Sequence, residues 1–384
     1  MASPKLRFKE FDGDWSQSKI GQIFDVTSGS TPLRSDNRFF DNATIPWVKT
    51  TDLNNSFIIS TEEKISHIAL KETSVKILPK NTVFVAMYGG FNQIGRTGLL
   101  LNEAACNQAL SAIYPNEKIE SFFLLTYLNH KVDDWKNFAA SSRKDPNITK
   151  SDVLAFPLVY PTKEEQTKIV SFLSKVDEKI SQLAKKHELL SQYKQGMMQK
   201  LFSQQIRFKA DDGSEFGEWE EIALGQIKGI SIASGKSSHE KLENAKYHYY
   251  GSTGVIGYSN EYDYQGIKIL IARVGHNAGY IYMVSGQYNV SDNTLILELP
   301  SNLNYIFVRN FLEKIQLNKL VFGTGQPLIT GGLLKKVVIH VPCLEEQTKI
   351  ANFLSAIDQK IEVVAQQIEQ AKQWKKGLLQ QMFV

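Results

Sequence analysis

Apolar residues follow two different rhythms along this chain. Over Thr162–Phe202 they step by four and three through Ile169, Leu173, Val176, Ile180, Leu183, Leu190, Met197 and Leu201, with His187 and Lys194 in the same series. Over 343–384 the rhythm returns as Ile350, Leu354, Ile357, Ile361, Val364, Ile368, Ala371, Lys375, Leu378 and Met382. A stripe kept for more than four heptads predicts a coiled-coil helix. At about 1.5 Å per residue each helix would run roughly 60 Å. Glu164 aligns with Glu345, a shift of 181, and roughly half of the paired positions in the two stretches are identical without a gap. Such a shift is far above the ~20–50 residues of solenoid units and marks a duplicated domain-plus-helix module. One exposed apolar stripe is unfavourable, and two matching stripes in one chain cover each other. A pseudo-two-fold axis between duplicated modules runs them antiparallel. His187 and Lys194 in the seam either fix its register or mark a splayed section.

Outside those stretches the pattern changes to short β-type runs between turn residues. In the first part these are Ile45–Val48, Phe57–Ile59, Thr82–Ala86 and Gly98–Leu101; in the second, Lys268–Ala272, Tyr280–Val284 and Thr294–Glu298. Each part adds one expected helix, around Ile119–Asn129 and Tyr305–Gln316, and a last β run, Phe156–Tyr160 or Lys336–Val341. The openings repeat as well, Arg7-Phe8-Lys9 with Trp15 against Arg207-Phe208-Lys209 with Trp219. The expected fold is α+β: two sheet-dominated α/β units, each followed by a long helix, with the helices paired antiparallel. Boundaries fall at 1–161, 162–202, 203–342 and 343–384. Strand order does not follow from the pattern.

Composition changes this picture little. The chain has 384 residues, 22% charged and 42% hydrophobic, with a net charge of +4. About three of those charges lie in 162–202 and both globular parts are near neutral, so a nucleic-acid surface must be local. Cys106 and Cys343 stand alone, which suggests neither a zinc site nor a disulfide framework. No stretch approaches ~18 apolar residues and Met1–Phe8 has no signal-like run, so a soluble, cytoplasmic protein with no membrane partner is expected.

Catalytic patterns are missing. Gly235-Lys236-Ser237 lacks the first glycine of a phosphate-binding loop, because Ile230 holds that position and Gly229 is one step out of register. No Asn-Pro-Pro-Tyr or Asp-Pro-Pro-Tyr run for adenine methylation occurs. Glu62-Glu63-Lys64 and Asp177-Glu178-Lys179 lack a partnering Pro-Asp element, and no histidine pair has helical metal-ligand spacing. The chain is expected not to be an enzyme by itself.

Two globular parts, each followed by a long helix opening with Glu-Glu-Gln, resemble the specificity subunit of type I restriction-modification enzymes over essentially the whole chain. Gly323-Thr324-Gly325-Gln326-Pro327 and Glu345-Glu346-Gln347 are similar to that family's run before its second helix. Gly251–Gly254, Ala272–Gly275 and Ser291–Asn293 are similar to its target-recognition segments. The first part departs from the pattern, with Ser141–Ile148 where the Gly-Thr-Gly-Gln-Pro run would stand. The resemblance implies a non-catalytic reader of a bipartite, asymmetric double-stranded DNA site, with the coil setting the gap. It implies two modification subunits, which carry S-adenosylmethionine, and two restriction subunits, which use ATP with Mg; no cofactor is expected in this chain. A coiled-coil scaffold whose two domains bind protein or glycan ligands is the rival reading, kept open by the near-neutral globular parts.

Base and phosphate contacts call for Arg, Lys, Asn, Gln and Ser on loops. The candidates in the first part are Lys49, Thr50, Tyr88, Asn92, Gln93, Arg96, Ser142, Arg143 and Lys144. In the second they are Lys236, Ser237, Tyr250, Ser252, Arg273, His276, Asn277, Thr324 and Gln326. Asn92, Arg143, Arg273 and Gln326 lead because they can make bidentate pairs with base edges. Asp292-Asn293 and Asn107-Gln108 read as turn or core-polar residues. Partner docking is expected at the helix openings, Glu164, Glu165, Gln166, Glu345, Glu346 and Gln347.

Overall fold

Two short apolar runs, Val83–Ala86 and Lys268–Ala272, explain the layering of their domains. Val83-Phe84-Val85-Ala86 is buried at every position, so its pattern is continuous rather than alternating, as for a strand covered on both faces. In the computed structural model, which describes residues 3–90, 92–139, 147–320 and 327–384, alternate side chains of this run enter two cores. Val83 and Val85 join Leu99, Ile113, Phe123 and Tyr127; Phe84 and Ala86 face Val48, Leu53, Leu100 and Ala112 on the other side. The second run repeats this, with Ile269 and Ile271 in one core and Leu270 in another.

Strand order, hidden from the sequence, is the same in both domains. The first sheet runs Val26–Ser28, Leu110–Ile113, Val83–Ala86, Thr97–Leu100 and then Ser56–Ile58. The second runs Ser231–Ser234, Thr294–Glu298, Lys268–Ala272 and Ile281–Val284. The first four strands of each are antiparallel throughout. Each domain adds a two-stranded ladder, Ser16–Lys19 with Pro157–Tyr160 and Glu220–Ala223 with Val338–Val341. The subsidiary sheets differ: Glu63–Ile65, Ile45–Val48 and Ala105–Cys106 in the first domain, and four strands including the hairpin Tyr247–Gly251/Gly254–Ser259 in the second. The expected helices appear at Ser121–His130 and Tyr305–Ile315.

The long helices span Lys163–Phe202 and Leu344–Met382, and every seam position named above is buried or half-buried. The chain divides into two compact units, Met1–Gln182 with Ile368–Val384, and Leu183–Gln367. Within the first, Ile169, Leu173 and Val176 share a core with Leu378, Met382 and Phe383. Within the second, Met198, Leu201 and Phe202 share one with Ile350, Leu354 and Ile357. The start of each helix thus meets the end of the other, which is antiparallel pairing.

Lys194, one of the two polar seam positions, is held in an ion pair. Its Nζ lies 2.7 Å from Asp358, and Lys375, its counterpart at a shift of 181, lies 2.6 Å from Asp177. The two bridges map onto each other under the duplication and join the paired helices at matched positions. They are partly exposed, so each coupling should be only about 0.5–1 kcal/mol. A double-mutant cycle on Lys194→Ala and Asp358→Ala by urea unfolding checks this; coupling near zero would leave the apolar seam alone to set register.

Candidate nucleic-acid interface

At one edge of each main sheet three loops are pinned by matching hydrogen bonds. Gly29 donates to Leu110 and Ser30 to Cys106; Gly235 donates to Thr294 and Lys236 to Val290. A Cβ on Gly29 would stand 2.2 Å from the Asn107 carbonyl, and one on Gly235 would stand 2.3 Å from that of Ser291. Close backbone approach is what requires glycine at both places. Met87 N–H donates to Ala109 and Arg273 N–H to Asn293, while Ile148 donates back to Met87 and Ile329 to Arg273. The loops after the central strands, the turns at 107–109 and 291–293, and the polar loops at 29–31 and 235–237 therefore meet in the same way twice.

In the second domain this edge gathers five of the expected residues. Arg273 Nη1 donates to Ser234 Oγ at 3.2 Å and to the Asp292 carbonyl at 3.4 Å, so its guanidinium is aimed from within the loop cluster. Its buried Nε has no partner among the described residues. Ser237 donates to Asp292 at 3.0 Å and Ser252 to the Asn293 carbonyl at 2.9 Å. Tyr250 accepts from Ser291 N–H through its carbonyl, and Lys236 is exposed. His276 and Asn277 are exposed on the loop that follows Arg273. Asp292 and Asn293 are turn residues that hold the others.

The first domain presents different chemistry on the same frame. Tyr88 and Asn92 are exposed, and Arg96 donates to Gln93 at 3.0 Å on the turn between the central strand and Thr97–Leu100. Lys49 is not free: its Nζ lies 2.8 Å from Glu62 and 2.7 Å from Glu63. These contacts raise the Lys49 pKa and lower that of Glu62, while Arg34 first and Lys49 second lower that of Glu63. Thr50 follows it in a short 3-10 turn. Arg34, which sequence reasoning passed over, pairs with Glu63 at 2.6 Å and lies over the Phe40 and Trp47 rings. The neighbouring aromatics Phe39-Phe40 were the one signal for it. Ser142, Arg143, Lys144, Thr324 and Gln326 lie outside the described residues.

The expected docking surface at the helix openings is corrected by burial. Glu165, Gln166, Glu346 and Gln347 are at most 1% exposed. Arg7 makes a bidentate pair with Glu165 at 2.8 and 2.7 Å, and Arg207 one with Glu346 at 3.1 and 2.8 Å. These hydrogen bonds raise both guanidinium pKa values. Gln166 donates to the Pro161 and Lys118 carbonyls and accepts from Glu120 N–H. Gln347 does the same with Pro342, Asn302 and Asn304. The pairs tie each globular part to its helix, and only Glu164 and Glu345 remain exposed.

A sequence model of the type I restriction modification DNA specificity domain matches twice, over residues 12–191 and 217–373. The chain belongs to that family. It is 24% identical to the EcoprrI specificity subunit of Escherichia coli, over 88% of this chain and 86% of that one. It is also 24% identical to the MjaVIII specificity subunit of Methanocaldococcus jannaschii, over 97% and 94%. The crystal structure of an S subunit from M. genitalium superposes with a TM-score of 0.63 at 20% identity, covering 100% and 99% of the two chains. As expected for this family, whose curated relatives are named specificity subunits, the chain is a specificity subunit rather than an enzyme. Among the described residues no cluster of three or more His, Cys, Asp or Glu is placed to hold a metal, and no helix is long and apolar enough to cross a membrane.

The buried ion pair in the second unit gives a direct test of how it is built. Arg207→Met strands the Glu346 carboxylate and should cost about 3–5 kcal/mol, while adding Glu346→Gln should recover much of it. Urea unfolding of the two variants reads the difference, and equal losses would show that the charge is dispensable.

Proposed function

We propose that each domain reads one half of a bipartite, asymmetric double-stranded DNA site in the major groove through this loop edge. The observation that carries the reading is one frame bearing different tips. Matched positions hold Ser30 and Lys236, Thr31 and Ser237, Met87 and Arg273. A shared frame gives both domains the same way of approaching DNA, and differing tips give each its own base contacts. In the second domain Arg273, with Lys236, Ser237, Tyr250, Ser252, His276 and Asn277 around it, supplies donors for base edges and phosphates. In the first, Tyr88, Asn92, Gln93 and Arg96 do so, and Lys49 enters only by leaving its two carboxylates.

On this reading the long paired helices set the gap between half-sites, and two half-sites about one helical turn apart, ~34 Å, suit a rigid spacer. Methylation and cleavage belong to partner chains: two modification subunits that bind S-adenosylmethionine, and two restriction subunits that use ATP with Mg. The chain works with them on DNA in the cytoplasm. One solved assembly of a type I restriction-modification system contains a chain of this fold, with a TM-score of 0.59 at 19% identity.

Arg273→Met installs the residue found at the matched position of the first domain, so the frame is retained. It should lose about 1–3 kcal/mol of discrimination at one base pair of one half-site. Methylation of randomised half-sites by the reconstituted methyltransferase reads this, and an unchanged profile removes Arg273 from base contact. Lys236→Ala should instead weaken binding to all sequences alike and reduce the salt slope by about 1. Binding that is weak, flat with salt and indifferent to sequence in the wild-type complex would overturn the whole reading in favour of a protein or glycan scaffold.

A further inference from the structure

The matched positions at the loop edge leave the first domain short of one group. Where the second domain places Arg273, the first has Met87, and a methionine offers no donor to a base edge. The chain leaving the first polar loop carries an arginine instead. Arg34 stands five residues past Gly29, whereas the same step past Gly235 brings Glu240. The shared frame therefore does not itself call for an arginine at this place.

Arg34 is held beside the edge from two sides. Its guanidinium lies over the Phe40 ring at 4.8 Å and the Trp47 ring at 5.0 Å. Trp47 in turn donates its indole N–H to the carbonyl of Ser30 at 3.2 Å, and Ser30 is one of the residues pinned at the loop edge. Arg34 Nη1 lies 2.6 Å from one oxygen of Glu63, whose other oxygen takes Lys49 at 2.7 Å. Even so, the Arg34 side chain is 54% exposed. Stacking and ion pairing fix a long side chain in advance, which lowers the ordering cost of a later contact.

Among the described residues, the other arginines of this domain are more fully committed. Arg7 is bound to buried Glu165. Arg38 donates through Nε and Nη2 to the two oxygens of Asp36, with Glu72 at 3.2 Å. Arg96 is half-buried and donates to Gln93. Charge then separates phosphate from base as the target of Arg34. In its cluster two cations, Arg34 and Lys49, meet two carboxylates, Glu62 and Glu63. A cluster without net charge gives little attraction to a phosphate backbone, whereas guanine presents O6 and N7 as paired acceptors to an arginine fork.

We infer that Arg34 is the guanine-reading side chain of the first domain, specifying one G·C pair of its half-site, with Glu63 as the positioning residue that holds the fork. This rests on the DNA reading given above. The first domain thus takes its arginine from the loop that leaves the edge strand, and the second takes Arg273 from the loop after the central strand. One frame carries the same chemistry on two different loops.

The test is methylation of a library randomised in both half-sites, by the full chain reconstituted with its modification subunit, together with the salt dependence of DNA binding. Arg34→Ala should lose about tenfold in discrimination at one G·C pair of one half-site, leaving the other half-site as it was. Arg34→Lys keeps the charge and lacks the fork, so it should lose discrimination at the same pair. Both arginine variants should keep the wild-type salt slope. Glu63→Gln should relax that pair and no other, which a general loss of fold cannot produce. An unchanged profile in both arginine variants would overturn the inference and leave the DNA reading intact. Binding weakened alike on all sequences, with the salt slope reduced by about 1, is the mark of a phosphate contact and would overturn it too. A wild-type complex that binds weakly and without sequence preference would overturn the DNA reading itself.

Discussion

Everything above the helices rests on a carboxylate removed from water. Glu346 is fully buried, and its two oxygens take a bidentate arginine and the Trp219 indole N–H at 3.1 Å. A buried charge is tolerable only when its lone pairs are met, so Arg207, Trp219 and the first turn of the helix have to arrive together. The adjacent Gln347 then holds three backbone groups from two other segments. The first unit repeats the arrangement through Arg7, Glu165 and Gln166, except that the Trp15 indole N–H has no partner among the described residues. Orientation of each globular part on its helix thus depends on a few directional bonds, and the apolar seam supplies the bulk of the adhesion.

The duplication has been kept unevenly. Strand order, the glycine approaches, the buried pairs and the seam bridges survive in both copies. The subsidiary sheets have diverged, and so have the loop tips. The second domain has a tyrosine-rich sheet in which Tyr250, Tyr264, Tyr282 and Tyr288 pack on Leu270 and Val290; the first uses Phe84, Leu53 and Leu100 at the corresponding layer. Parts that bear load within the fold are constrained by partners on every side, and parts that face outward are not.

Periodicity made the helices legible, because only a helix brings residues spaced alternately by three and four onto one face. The central strands were legible as apolar runs, and their ends were placed within one or two residues. Strand order was not, since it depends on pairings between distant segments that leave no local mark. The Glu-Glu-Gln openings show the limit best. Their charge suggested a surface, yet Glu165 meets Arg7 across 158 positions and Glu346 meets Arg207 across 139. A trace was present: Arg7 and Arg207 are duplicated together with the glutamates, as paired residues would be. Of the loop candidates, Arg273, Lys236, Ser237, Tyr250 and Ser252 were brought to one edge, whereas Lys49 was drawn into an ion pair with glutamates 13 and 14 residues away.

Phe383 packs against Trp15, Phe123 and Tyr127, at ring separations of 6.3, 5.4 and 6.1 Å. The second unit is one continuous piece of chain, but the first needs Ile368–Val384 to complete its core. On a ribosome adding about 5–20 residues per second, the first domain therefore waits roughly 10–40 s after its own residues have emerged. During that interval its aromatic floor lies open, and the segment that closes it is made only after the whole of the second unit.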